Sequence, residues 1–304
     1  MIQVRKYNYC LDFIKGIACV CIVLMHCEFP GFIGIAVQAV SRFSVPFFFM
    51  VSGYFCFAPD SSRMHAAVMG RKVPHILKII LGACLFYLLF VLAQQFIWHD
   101  RDFSVNLIKL RNFILFNRPF IVAGQYWFLF ALLYTYLLYA FMERCGLKNY
   151  EYHLAALMFV AYFCLAQGAH IIGVNVPNMY YRNWLIEGFA FFMLGHWTHE
   201  HRDSIRISNS TLLWIIALST FMCLPERWVM GRDFGVNICT LPQVFALLVY
   251  AIKNPDRHEG VVQRIGKNCS MLVISCIRSS GILWNVYIPG WDYPEILWPN
   301  MPFL

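Results

Sequence analysis

Residues 10–27 read CLDFIKGIACVCIVLMHC, an apolar run with two charged residues near its start. A helix of about 18 such residues crosses the roughly 30 Å hydrocarbon core of a bilayer. Because Asp12 and Lys15 interrupt the run and no small-residue cleavage site follows it, we interpret it as a retained membrane span and not as a cleaved signal peptide.

Similar apolar runs recur along the rest of the chain, separated by Pro, Gly and charged residues. They lie near residues 33–57, 75–97, 125–142, 152–172, 183–199, 210–224, 234–252 and 269–288. The sequence therefore predicts an all-α, polytopic transmembrane helix bundle of about nine spans (nine or ten), forming a single transmembrane domain over residues 1–304.

Composition agrees with a bilayer environment. Hydrophobic residues make up 60% of the chain and charged residues only 13%, against about 25% charged residues in an ordinary soluble domain. The formal charge of +8 comes from basic residues that are dispersed among short loops, so it indicates topology and not a nucleic-acid partner. If the amino terminus is cytoplasmic, the predicted inside segments carry about twice as many Lys and Arg residues as the outside segments, which favours that orientation.

Cysteine and histidine spacing gives no sign of a metal site. The twelve cysteines are scattered singly, mostly inside apolar runs, and form no CxxC pair. The residues His196, His199 and His201 are spaced somewhat like metal ligands, but they fall in a predicted inside loop without a nearby cysteine. We therefore expect buried small cysteine side chains, interfacial histidines and no metal.

The first span carries polar residues along one face. Asp12, Lys15, Cys19, Ile22 and His26 recur every three or four residues, so they share a stripe of the helix, and Lys15 and His26 are about 16 Å apart along its axis. One interpretation is that Asp12 pairs with Lys15 at the interface and His26 caps the helix. The other is a polar path in which His26 exchanges a proton near neutral pH.

The second span contains a helix-breaking residue and a buried charge. Residues 41–54 read SRFSVPFFFMVSGY, and Pro46 removes a backbone donor and tends to kink a helix. Arg42 lies well inside the span, where an isolated charge costs about 2.5–3.5 kcal/mol. Its guanidinium either pairs with a carboxylate such as Glu187 or binds an anionic or carbonyl group of a substrate.

Two further segments have both a structural and a functional interpretation. Arg71, Lys72 and Lys78 gather at the predicted cytoplasmic start of the third span, where they either set topology or bind phosphates. Trp127 opens the fourth span and either anchors it at headgroup depth or contributes to binding. Residues 98–124 are too polar to span and predict an amphipathic segment along the interface.

These residues together resemble acyltransferase family three, the bacterial membrane acyltransferases that modify cell-surface sugars. Its first span carries an Arg, ten residues and a His, in a phrase similar to DFIKGIA at residues 12–18 followed by His26. Residues 41–54 are similar to the branch that includes the enterobacterial common antigen O-acetyltransferase. The basic start of the third span, YWFL at 126–129 and IGKNCS at 265–270 also fit.

The chain departs from the family pattern in three places. Lys15 replaces the usual Arg, which keeps the charge but loses the bidentate fork. Residues 275–278 read SCIR, where the last span of the family commonly ends in Ile-His. The family usually has ten spans, whereas about nine are predicted here.

The resemblance implies transfer of an acetyl or other short acyl group from cytoplasmic acyl-CoA to a hydroxyl of a cell-surface or lipid-linked carbohydrate. It also implies a multi-pass protein of the bacterial cytoplasmic (inner) membrane, with acetyl-CoA as co-substrate and no metal. His26 would be the general base, and Arg42 would position the acyl donor or stabilise the oxyanion. The candidates for binding substrate or coenzyme A are Asp12, Lys15, Arg71, Lys72, Trp127 and Glu187.

Two other functions remain open at this point. In a transporter, Arg42 and Glu187 would bind the solute and His26 would gate or relay protons. A catalytically inactive scaffold is the third possibility. The sequence contains no GxSxG motif, so within the acyltransferase interpretation we favour direct transfer over an acyl-enzyme.

Overall fold

The computed structural model describes residues 7–27, 29–58, 62–98, 107–119, 126–257 and 260–268, and every regular element in these ranges is helical. The first elements are α1 (Tyr9–Met25), α2 (Gly31–Ser41), α3 (Ser44–Tyr54), α4 (Ser62–Trp98), α5 (Leu107–Phe116), α6 (Trp127–Arg144) and α7 (Glu151–Phe163). They are followed by a π-helical turn (Cys164–Gly168), α8 (Ala169–Ile171), a second π-helical turn (Trp184–Phe189), α9 (Ala190–Glu200), α10 (Asn209–Met230), α11 (Thr240–Lys253) and α12 (Val261–Asn268). The all-α prediction is confirmed for these residues.

In the described part of the chain, four helical segments are long and apolar enough to cross a membrane. They are Gly31–Tyr54, Ala66–Leu89, Lys148–Ile171 and Asn209–Met230, and the shorter α11 is also apolar. Helices also occupy most of the predicted runs at 10–28, 125–142 and 183–199, whereas the predicted span at 269–288 lies outside the described residues. The count of about nine spans and the single-domain assignment stay predictions.

Helix α1 directs the predicted stripe into the bundle. Asn8 caps its start by accepting a hydrogen bond from the Leu11 N–H at 2.7 Å. Asp12, Cys19 and Ile22 are all buried, which confirms that this face is the inner one. The part of the stripe between Lys15 and His26 consists of Cys19 and Ile22, so its middle is apolar.

Helices α1 and α12 approach each other through two glycines. A Cβ on Gly16 would meet the carbonyl oxygen of Val262, and a Cβ on Gly266 would meet the carbonyl oxygen of Asp12. Because both obstacles are backbone atoms, the two helices can pack this closely only with glycine at these positions.

The second predicted span consists of two helices. The interruption lies at Arg42 and Phe43, between α2 and α3, and not at Pro46, which occupies the first turn of α3. Proline is tolerated there because the first N–H groups of a helix have no intrahelical acceptor. The Ser44 hydroxyl donates to the Ser41 carbonyl at 2.8 Å, which satisfies one carbonyl left open by the break.

Helix α3 packs antiparallel to α9. The Cα of Gly53 faces the Phe192 carbonyl and the Cα of Gly195 faces the Met50 carbonyl, with no room for a Cβ at either glycine. The beginning of α3, next to Arg42, therefore lies near the π-helical turn that precedes α9, and the end of α3 lies near the end of α9.

Both π-helical turns carry a buried polar residue, Gln167 in the first and Glu187 in the second. The second turn is started by Asn183, whose side chain accepts from the N–H groups of Leu185 and Ile186 at 3.0 Å each. The Gly188 N–H donates to the Asn183 carbonyl at 3.0 Å, five residues back. Such turns occur often at functional sites.

Helices α4 and α5 can be compared with the predicted span at 75–97 and the predicted amphipathic segment at 98–124. Helix α4 begins at Ser62, so Arg71 and Lys72 lie within a helix and not in a loop before residue 75. The amphipathic segment does contain a helix, α5, and Leu107, Ile108 and Leu115 on it are exposed. Its position along the membrane interface stays a prediction.

Candidate functional site

A buried polar cluster, which we call the Arg42 cluster, lies where the break between α2 and α3 meets the second π-helical turn. The loop before that turn and the segment at residues 231–239 complete it. Its charged and phenolic members are Arg42, Tyr162, Tyr181, Arg182, Glu187, Arg227 and Asp233.

Arg42 is held on one side only. Its Nη2 forms an ion pair with Oδ2 of Asp233, and Oδ1 of Asp233 accepts the Gly235 N–H at 3.0 Å. The Arg42 side chain is 13% exposed, and its Nε is buried without a hydrogen-bond partner among the described residues. The guanidinium is thus oriented by Asp233 while one donor stays available.

Glu187 lies in the same cluster. It is 2% exposed and interacts electrostatically with Arg182 and Arg42. Its Oε2 has no hydrogen-bond partner in the described part of the chain. Arg42 forms its ion pair with Asp233, and Glu187, the carboxylate suggested as its partner from the sequence, lies near Arg42 within the same cluster.

Trp127 belongs to this end of the bundle. The Arg182 guanidinium lies over its ring, 5.0 Å from the centroid, in a favourable cation–π geometry. The Asn117 amide donates to the Trp127 carbonyl at 2.9 Å and accepts from the Trp184 N–H at 2.8 Å. Trp127 is therefore fixed beside the Arg42 cluster.

Two polar side chains, one on α7 and one in the first π-helical turn, bind the backbone of the segment at residues 231–239. The Tyr162 hydroxyl donates to the Phe234 carbonyl at 2.7 Å and accepts from the Val236 N–H at 3.0 Å. The Gln167 amide donates to the Val236 carbonyl at 2.9 Å. These contacts place Asp233 next to Arg42.

Several buried polar atoms at this end lack a hydrogen-bond partner among the residues described. They are Arg42 Nε, Gln167 Oε1, Tyr181 Oη, Glu187 Oε2 and Arg227 Nε. Buried polar atoms are nearly always bonded in folded proteins. A concentration of open donors and acceptors therefore marks a place that receives a polar ligand or ordered water.

A second group, which we call the Asp12 cluster, lies at the start of α1. Asp12 pairs with Lys15 at 2.5 Å and accepts from the Tyr7 hydroxyl. That hydroxyl accepts from Gln263 at 2.7 Å, and Lys267 lies 4.7 Å from the centre of the Tyr7 ring. Burial, followed by the bond to Asp12, raises the pKa of Tyr7 to about 12. The interpretation in which Asp12 and Lys15 pair with each other is confirmed.

His26 is exposed at the carboxyl end of α1. Its backbone N–H donates to the Val23 carbonyl at 3.0 Å. Cys21, one and a half turns earlier, lies beside Ser41 and Ser44, so His26 and Arg42 are at the same end of the bundle. The structure places Arg42 in the buried cluster and His26 at the surface.

Arg71 and Lys72 lie away from Arg42. Arg71 is exposed, and its Nε donates to the Ala67 carbonyl at 3.2 Å. The ammonium of Lys72 lies 5.8 Å from the centre of the Phe55 ring, just beyond the end of α3. The two basic residues are therefore at the end of α3 opposite Arg42.

The prediction that His196 is an interfacial residue in a loop was wrong. It lies inside α9 and is 1% exposed, with its two ring nitrogens 3.1 Å from the Tyr139 hydroxyl and 2.8 Å from the Tyr152 hydroxyl. Tyr152 also donates to Glu200 at 2.5 Å. Its neighbours come from distant helices, so local spacing gave no signal. Within the described ranges no group of three or more His, Cys, Asp or Glu side chains could hold a metal.

Sequence reasoning also missed Arg182, Arg227 and Asp233 as site residues. The available signal was that Arg182 precedes Glu187 by five residues, close enough for the two to share one end of a helix. The contributions of Arg227 and Asp233 depend on tertiary structure, since they reach the cluster from the end of α10 and the loop after it.

Comparison with known proteins adds one match. The sequence model of an acyltransferase domain, that of acyltransferase family three, matches residues 8–272. This range contains every candidate site residue named above. No curated protein and no solved structure matches the chain.

Proposed function

The chain belongs to acyltransferase family three, and from this membership we propose that it is a membrane-bound O-acyltransferase that uses cytoplasmic acyl-CoA. The family and the membrane-length helices make it a membrane acyltransferase. The proposal adds the donor, acetyl-CoA or another short acyl-CoA, and the acceptor, a hydroxyl of a cell-surface or lipid-linked carbohydrate.

The observation that carries the acceptor proposal is the set of open hydrogen-bonding atoms in the Arg42 cluster. It offers donors at Arg42 and Arg227 and acceptors at Gln167 and Glu187. Each sugar hydroxyl both donates and accepts, so a carbohydrate matches this mixture. The aromatic ring of Trp127 beside the cluster is typical of pockets that combine an apolar wall with a few polar groups.

The donor proposal rests on the opposite end of the bundle. Arg71 and Lys72 are the basic side chains there that suit the phosphates of coenzyme A. Asp12 and Lys15, which pair with each other, would line the path of the donor. The predicted topology puts this end in the cytoplasm.

In the proposed reaction the acceptor hydroxyl oxygen attacks the thioester carbonyl carbon. His26 takes the hydroxyl proton as the new C–O bond forms, and the C–S bond then breaks. The proton passes from His26 to the departing thiolate, which leaves as coenzyme A. Arg42, oriented by Asp233, donates from Nε to the oxyanion, while Glu187 and Trp127 orient the acceptor.

The test is acyl transfer by purified protein in liposomes with labelled acetyl-CoA and candidate glycans. We expect coenzyme A release and labelled glycan from the wild type and from His153→Ala, a control at an exposed histidine. The His26→Ala variant should lose both. Unchanged release in His26→Ala would refute the assigned base, and uptake of a labelled glycan without thioester cleavage would favour a transporter.

We also propose that the chain lies in a bacterial inner membrane with a cytoplasmic amino terminus and falls in the common-antigen branch of the family. Cys27 and Cys145 are exposed and lie at opposite ends of the bundle, after α1 and after α6. Because Cys164 is exposed as well, the test uses a Cys164→Ser background. A membrane-impermeant maleimide added to spheroplasts should label this parent and its Cys145→Ser variant but not its Cys27→Ser variant. The reverse pattern would invert the topology.

A further inference from the structure

The Arg42 cluster has more positive than negative side chains. Arg42, Arg182 and Arg227 interact electrostatically within it, and Arg232 is near Tyr181. The carboxylates of the cluster are Glu187 and Asp233. Within the cluster, three guanidinium groups lie near two carboxylates among the described residues; Arg232, at its edge, adds a fourth positive charge and also donates to Asn175.

Glu226 does not remove this excess. It precedes Arg227 on α10, but its two oxygens accept the N–H groups of Ile238 and Cys239, at 2.5 and 3.1 Å. The Glu226 carboxylate therefore binds the backbone just before α11. When Glu226 and Arg232 are both counted, this end has four positive and three negative side chains among the described residues.

The open atoms have two kinds of chemistry. The Nε atoms of Arg42 and Arg227 are donors of positively charged groups, whereas Glu187 Oε2 and Gln167 Oε1 are acceptors. A guanidinium donor is best matched by a carboxylate or phosphate oxygen. An open carboxylate oxygen is best matched by a hydroxyl. A ligand that satisfies both kinds carries an anionic group and hydroxyl groups.

We propose that the acceptor is an anionic sugar, with a carboxylate or phosphate close to the hydroxyl that is acylated. The proposal rests on the acyltransferase function above and specifies its substrate class. Arg227 and Arg182 receive the anionic group, and Glu187 accepts a hydrogen bond from a sugar hydroxyl. The arginine excess is then compensated when the acceptor is bound.

The test is binding of defined probes to the purified protein in detergent, measured by calorimetry without acyl-CoA. We expect glucuronic acid or glucose 1-phosphate to bind at least tenfold more tightly than glucose. Inorganic phosphate should bind more weakly than whichever of these two charged sugars binds more tightly. The better of the two sugars identifies the anion as a carboxylate or a phosphate. The preference should weaken as salt rises, because salt screens the charges.

Variants connect the preference to the cluster. Arg227→Gln should reduce the preference for the charged sugar to less than threefold. Arg227→Lys should keep most of it, and Arg206→Gln, an exposed arginine outside the cluster, should keep all of it. If Arg227→Gln does not purify as a single species, Arg182→Gln provides the same test.

Equal binding of glucose and the charged sugars, no binding of any sugar, or an unchanged preference in Arg227→Gln and Arg182→Gln would each overturn the anionic acceptor. These outcomes are distinguishable from failure of the proposed function, because the binding assay contains no thioester. Thioester cleavage with a neutral acceptor would keep the acyltransferase and exclude the anionic sugar.

Discussion

The Arg42 cluster and the Asp12 cluster differ in how their charges are satisfied. Asp12 is bonded by Lys15 and by Tyr7, and Tyr7 in turn by Gln263. Arg42 has a partner in Asp233, yet Nε of Arg42 and Oε2 of Glu187 have no hydrogen-bond partner among the residues that the structure describes. Both clusters contain charges that interrupt apolar runs, but of the two, among the described residues, only the Arg42 cluster has buried polar atoms without a hydrogen-bond partner.

This difference shows that a charge in an apolar run does not by itself identify a binding site. A closed network rigidifies the fold, whereas a buried network with open atoms costs free energy until something fills it. The Asp12 cluster thus joins α1 to α12, and the Arg42 cluster is the better candidate for substrate.

The largest expected effect is on the packing that supports the Asp12 cluster. In Gly266→Val the new side chain meets backbone atoms of Asp12 and Gly16, so α1 and α12 must separate. Overpacking of this kind costs about 3 kcal/mol or more. Thermal unfolding in detergent should show a large loss, while Gly70→Val, where a Cβ meets open space, should unfold near the wild-type temperature. Equal unfolding of the two variants would contradict the close packing.

The next effect is on catalysis at the Arg42 cluster. Arg42→Lys keeps the charge opposite Asp233 but removes the Nε donor, so we expect kcat to fall about 100-fold, as for loss of one oxyanion donor. The unfolding temperature should change little, and Arg118→Lys, at an exposed arginine, should change neither quantity. A lower unfolding temperature with an unchanged kcat would make Arg42 a structural residue.

A smaller effect, on KM for acyl-CoA, should distinguish Lys72 from Lys15 at the end of the bundle opposite Arg42. Lys72→Gln should raise KM for acyl-CoA about tenfold at low salt, which corresponds to about 1.4 kcal/mol. Lys15→Gln should raise it less than threefold and lower the unfolding temperature instead, because Asp12 loses its cation. Equal increases in KM would mean that Lys15 also binds the coenzyme.

The smallest effect is the loss of one hydrogen-bonding hydroxyl in the Asp12 cluster. Tyr7→Phe should cost about 1 kcal/mol and leave kcat unchanged. Because folding raises the pKa of Tyr7 from its ordinary value near 10 to about 12, this stabilisation is complete below pH 10 and is lost as the pH rises from about 10 to 12. Unfolding temperatures across this range should fall less steeply in Tyr7→Phe than in the wild type or in Tyr150→Phe, an exposed control.

Much of the fold could be predicted because apolar runs are a strong local signal. The stripe on α1 follows from helical periodicity, and Asp12, Cys19 and Ile22 are buried as expected. The start of α4 was missed because Arg71 and Lys72 remain solvated on a continuous helix. The break at Arg42 was assigned to Pro46 because the sequence does not show which turn of a helix a proline will occupy.

The candidate site was predictable only in part. Arg42 and Glu187 stand out because a charge in an apolar run is costly. Arg182 and Asp233 lie in polar segments where charges are ordinary, so only the fold brings them to Arg42. His196 was misassigned because Tyr139 and Tyr152, its hydrogen-bond partners, belong to other helices.

The π-helical turn at Trp184–Phe189 makes the site depend on residue number as well as residue identity. One residue more than an α-helix needs is accommodated there, and each residue of an α-helix corresponds to a rotation of about 100°. A deletion of a single residue in this turn would let it become α-helical and would rotate Arg182 about the helix axis relative to His196. Insertions and deletions at this position would therefore change the geometry of the Arg42 cluster without any substitution of its side chains.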